Sequence, residues 1–106
     1  MAQGRQAGVS LAATTDTALY SPGGSIVGTY TVSFCNRTTG AINIRLGLCS
    51  GALGTLDWTT DALEFDTPIP ANGVLERSGI PVSGAQTLVA RASAAGITVV
   101  VYGLEG

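Results

Sequence analysis

Ser25-Ile-Val-Gly-Thr-Tyr-Thr-Val-Ser-Phe-Cys35 is the stretch that decides the fold. Ile26, Tyr30, Val32 and Phe34 alternate with Thr29, Thr31 and Ser33. That is the period of a strand with one face in a core and one face outside. Residues 41–49 repeat it, with Ile42, Ile44, Leu46 and Leu48 on one side and Asn43, Arg45 and Cys49 on the other. No segment sustains a helical period.

Working outward, residues 9–13 and 17–20 read as short early strands, and Ser21-Pro-Gly-Gly24 breaks the chain before the long one. Residues 61–66 place Leu63 and Phe65 on an inward side. Pro68, Pro70 and Asn72-Gly73 then form loop and turn. Extended structure resumes at 74–77, and residues 86–92 are expected to pair with 97–102 through Ser93-Ala-Ala-Gly96. About eight short strands joined by Gly, Pro and Asn turns predict an all-β, single-domain β-sandwich. It is expected to be jelly-roll-like, with an immunoglobulin-like sandwich as the alternative. Residues 1–8 show no apolar pattern and are expected to be a flexible arm that orders against a partner, leaving 9–106 as the sandwich domain.

The chain has 106 residues, of which 11% are charged, with five arginines and neither lysine nor histidine. An ordinary soluble domain carries roughly 25% charged residues. So few charges leave neutral or apolar surface exposed unless other protein covers it, which predicts a subunit packed against neighbours. Scattered arginines and a net charge of -2 argue against a nucleic-acid surface. No run is long and apolar enough for a membrane helix, and the start lacks the apolar core of a secretion signal. Cytosolic synthesis without membrane association is the expectation.

Cys35 and Cys49 could close a loop worth about 3 kcal/mol, but strand geometry opposes it. Paired as a hairpin, the two strands hold the cysteines roughly 20 Å apart, beyond the ~7 Å limit between Cα atoms. Placed in opposite sheets, the cysteines point outward on opposite faces. Reduced thiols suit a cytosolic protein, and no Cys/His metal site can be assembled.

A nucleophilic serine or cysteine would lack a histidine or lysine base, so no catalytic residue and no cofactor is expected. The one polar constellation is Asp57-Trp-Thr-Thr-Asp61 followed by Glu64 and Asp66. Paired carboxylates could hydrolyse a glycoside, an oxygen-rich loop could hold calcium, and Trp58 could stack on a sugar. The simpler reading is a solvated loop leading into a strand whose Glu64 and Asp66 face water. Trp58, the single tryptophan, is the expected contact residue. The final strand is apolar on both sides: Ile97, Val99 and Val101 on one, Val100, Tyr102 and Leu104 on the other. A second face of that kind calls for a cover, either a neighbouring subunit or the chain's own N-terminal segment. Trp58, Val100, Tyr102 and Leu104 are the candidate interface residues.

The segment from Phe34 through Leu48, with Pro70-Ala-Asn-Gly-Val-Leu-Glu-Arg-Ser-Gly79, resembles small structural proteins of tailed bacteriophages. So does Gly84-Ala-Gln-Thr-Leu-Val-Ala-Arg-Ala-Ser-Ala-Ala-Gly-Ile-Thr-Val-Val-Val-Tyr-Gly-Leu-Glu105. The likeness runs from about Asp16 to the end. It implies a capsid decoration (cement) protein on the virion surface, a homotrimer seated on the major capsid protein and made in host cytoplasm. The alternatives are a small tail, baseplate or tail-fibre adaptor and, from another class, a carbohydrate-binding module using Trp58. The resemblance carries over no catalytic residue, metal or cofactor.

Overall fold

The computed structural model describes residues 3–105. Its strands are β1 (Gln3–Ser10), β2 (Thr17–Tyr20), β3 (Val27–Asn36), β4 (Ile42–Cys49), β5 (Ala62–Ile69), β6 (Val74–Ser83), β7 (Thr87–Ala92) and β8 (Ile97–Glu105). A 3-10 turn (Leu53–Thr55) and a one-turn helix, α1 (Trp58–Asp61), lie between β4 and β5.

Two four-stranded sheets form, sheet 1 in the order β1-β8-β3-β6 and sheet 2 in the order β2-β7-β4-β5. Every ladder between strands is antiparallel. The pairs β1·β8, β2·β7, β3·β6 and β4·β5 are nested, as in one long hairpin rolled into two layers. That is the eight-stranded jelly roll, the first of the two sandwich topologies expected from the sequence.

Alternation builds the core. Tyr30, Val32 and Phe34 of β3, Ile44 and Leu46 of β4, Leu88 of β7 and Val99 and Val101 of β8 are buried between the sheets. Each large side chain removed from water contributes about 1.5–3 kcal/mol. Ile26 precedes β3 and is exposed, so the inward row begins at Gly28. Gly28 has no side chain because the Tyr30 phenol occupies the place its Cβ would take. Asn36 ends the row: buried, it donates to the carbonyls of Gly40 and Ile69 (2.9 and 3.0 Å) and pins two loops together.

Four expectations are corrected. Residues 86–92 and 97–102 do not pair, because β7 and β8 belong to different sheets and Ser93–Gly96 crosses between layers. Residues 3–8 are not a free arm: they belong to β1, whose residues Gln3 to Ser10 lie opposite Leu104 to Thr98 of β8. Ladder hydrogen bonds need no apolar side chains, and a bulge between Arg5 and Ala7 breaks the alternation that would have marked the strand. Met1 and Ala2 lie outside the described residues. The strand expected at 74–77 continues to Ser83, passing a bulge at Ser78 and Gly79 opposite Thr31, where Gly79 takes a φ of 71°.

The fourth correction is Phe65, which is exposed. Phe65 and Asp66 together oppose the single residue Arg45, forming a bulge with Asp66 at a φ of 51°. The extra residue turns Phe65 from the core to the outer face. At the same edge Glu64 of β5 and Arg77 of β6 bond across the sheets (2.6 Å), and Arg77 also donates to the Leu63 carbonyl. Charges of this kind, with Pro68, Pro81 and the bulges, blunt both edge strands against further pairing.

Candidate functional site

The outer face of sheet 2 is partly roofed. Asp57 caps α1, accepting from the Thr59 backbone N–H (3.0 Å) and hydroxyl (2.7 Å), and these bonds hold its carboxyl below the usual range. The cap sets Trp58 against the Gly47 backbone, where only a glycine leaves room for the ring. Beneath this roof Val89 and Cys49 are fully buried, although they stand outside the main core cluster. The Cys49 thiol donates to the carbonyls of Gly51 (3.2 Å) and Thr87 (3.5 Å). Cys35 is half-buried on the outer face of sheet 1, so the two free thiols lie on opposite sides of the sandwich.

Trp58 is half-buried and engaged on several sides. Its Nε1 donates to Asp16 Oδ1 (3.1 Å), and its ring meets Phe65 edge to face at 6.3 Å between centroids. The Arg45 guanidinium lies 4.1 Å from the Phe65 centroid and 5.7 Å from that of Trp58, within cation–π range. Arg45 also donates to both carboxylate oxygens of Asp66, at 2.7 and 3.3 Å. That pairing raises the Arg45 pKa and lowers that of Asp66. Arg91 bonds Asp16 at 3.3 Å. Trp58 therefore fastens the β4–β5 connection, and the aromatic ring presented to solvent is that of Phe65.

Of the remaining constellation, Glu64 is taken by Arg77 and Thr67, and Asp61 accepts from the Asp57 backbone N–H. Among the described residues no group of three or more His, Cys, Asp or Glu side chains is placed to hold a metal ion.

Val100, Tyr102 and Leu104 share the outer face of sheet 1, on the opposite side of the sandwich from Trp58. The four candidates thus mark two surfaces. Val100 and Tyr102 are half-buried, and Leu104 is 62% exposed. Of the two expected covers for this face, the N-terminal segment is removed: β1 lies beside β8 in the same sheet, not over it. Around the three stand Thr29, Thr31, Ser33 and Thr98, with exposed Val27 and Val74 towards the ends. Tyr102 reaches across β3 and donates to Glu76 Oε2 (2.6 Å), a bond that raises its pKa.

Sequence reasoning missed a third group, at one end of the sandwich. Glu105 is buried and accepts from the hydroxyls of Tyr30 (2.5 Å) and Tyr20 (2.7 Å), whose rings meet edge to face at 5.5 Å. The Tyr30 and Tyr20 bonds hold the Glu105 carboxyl below its ordinary value. Burial, reinforced by the carboxylate, raises both tyrosines. The inward position of Tyr30 was readable from alternation, but its carboxylate partner lies 75 positions away.

The fold and these surfaces define an eight-stranded jelly-roll domain. No family model matches the chain, and no curated protein matches it.

Proposed function

We propose that the chain is a non-enzymatic structural subunit of a tailed-phage particle, a decoration protein that reinforces the capsid lattice by binding the major capsid protein. The observation that carries this reading is where the charges sit. Arg45, Asp66, Arg91 and Asp16 neutralise one another on sheet 2, and Arg77 and Glu64 do so at one edge. What remains for a partner is the open face of sheet 1, Thr, Ser and Val with Arg5 and Glu76 at its two edges, and the exposed Phe65 on sheet 2. Sheet faces with so few charges suit permanent packing in a shell, because little charge must be desolvated on contact. Closed sandwiches with blunted edges also stay unpolymerised before assembly. The engaged faces and N–H of Trp58 speak against the sugar-stacking alternative.

The test is stoichiometry. Gel quantification of purified particles containing the chain is expected to give a copy number comparable to that of the major capsid protein. Shells stripped of it should lose resistance to heat and osmotic shock, and adding the chain back should restore it. A handful of copies per particle places the chain in a tail and overturns the proposal, as does restored resistance without binding.

A further inference from the structure

Within its strands the outer face of sheet 1 carries two charged side chains among the described residues, Arg5 on β1 and Glu76 on β6. Arg37 stands at the rim, reaching Ser10. β1 and β6 are the two edges of the sheet. Arg5 folds back along its strand so that its guanidinium lies on Gly8, in the space a Cβ there would fill. Gly8 opposes Val100, Val100 opposes Ser33, and Ser33 opposes Glu76. The cation and the carboxylate therefore stand at the two ends of one cross-strand row, three strand spacings or about 14 Å apart. The Tyr102 hydroxyl holds that carboxylate from the middle of the face.

We infer that two copies of this chain pack sheet 1 against sheet 1 about a two-fold axis parallel to the strands, with Arg5 of each copy bonded to Glu76 of the other. That axis, passing between β8 and β3, lays β1 of one copy over β6 of its partner while each row keeps its level. Both ends of the row then bring opposite charges together, and Val100, Tyr102 and Leu104 are covered. A two-fold axis perpendicular to the strands would set arginine on arginine and glutamate on glutamate, so charge selects the first orientation. Self-complementarity of one patch is the mark of an isologous contact. It gives a two-fold pair where the phage resemblance implies a trimer. The face measures roughly 19 by 27 Å, about 500 Å², against the ~800 Å² per partner of a standard stable interface. The pair is accordingly weak and depends on concentration.

Sedimentation and native mass measurements on the free protein, from low-micromolar to sub-millimolar concentration at low salt, test this without any particle. Their outcome is thus separate from the copy-number test. The wild type is expected to rise to twice the chain mass, and Arg5→Glu and Glu76→Arg are each expected to stay monomeric with unchanged circular dichroism. Equal mixing of the two variants should restore the pair, because every contact then joins opposite charges. If either reversal unfolds the chain, Arg5→Gln and Glu76→Gln are read in its place, each expected to weaken the pair. A wild type that stays monomeric throughout, or reaches three chains, overturns the inference. So does undiminished association of either single variant, or a mixture that fails to pair where the wild type does.

Discussion

The two outer faces of this sandwich begin from the same strand pattern and end in different states. On sheet 2 the β4–β5 connection folds back as a roof, so that Val89 and Cys49, outward by alternation, are fully buried. On sheet 1 no connection does this, and the equivalent outward residues of β8 remain half-buried or exposed. Burial in a sheet is therefore decided by which loops return over a face as well as by alternation. Charge follows the same division: among the described residues the roofed face gathers two ion pairs, while the strands of the open face carry one cation and one carboxylate.

The largest expected effect comes from removing the roof. Trp58→Ala should cost about 3 kcal/mol in chemical denaturation, the lower end for an aromatic truncation because the ring is only half-buried. Tyr102→Ala on the open face should cost under about 1 kcal/mol, since such surface sites tolerate change. Equal losses would show that sheet 2 gains nothing from its cover. Next, Val89→Ala should cost about 2 kcal/mol through lost burial and a cavity, and Val100→Ala about 0.5 kcal/mol. A reversed order would mean that sheet 1 carries the hidden core.

A pH titration of stability probes the sandwich end that joins the faces. The folded Glu105 carboxyl lies below its ordinary 4.5, so its contribution is present above that value and lost as pH falls through the folded pKa. Tyr30 and Tyr20 lie above their ordinary 10.0, so their contribution is present below it and lost as pH rises further. Glu105→Gln should flatten the acid limb of the melting-temperature profile, and an unchanged limb would assign acid sensitivity elsewhere. The smallest effect belongs to Arg45 and Asp66. A double-mutant cycle should give a small favourable coupling that shrinks in salt, because the pair is open to solvent.

Much of the fold was legible in single strands. The inward row Tyr30, Val32 and Phe34 is readable because both the side-chain period and the ladder repeat every two residues. Partner choice was not legible, since Ser93–Gly96 is as short as a hairpin loop yet spans two layers. Phe65 was misplaced because the inserted residue sends both Phe65 and Asp66 outward while Leu63 and Ile69 stay on the inward side, and nothing in Glu64-Phe65-Asp66 announces a bulge. β1 was missed for the opposite reason: its backbone pairs while its side chains carry little pattern. For the candidate surfaces, Trp58 and the β8 residues were readable as unusual. Arg45 was correctly placed outward, but its stacking on Phe65 required the bulge.

The nested pairing has a consequence for how the molecule comes into being. β3, an interior strand, finds its partners in β6 and β8, and among the described residues β1 pairs with β8 alone. During synthesis β3 can pair with β6, but the ladder that joins it to β8, and through β8 to β1, forms only after β8 has emerged. Such long-range pairing folds slowly, on the order of milliseconds to seconds. Until β8 is in place β3 is bare on that edge, and closing β8 into the gap is the step that completes sheet 1.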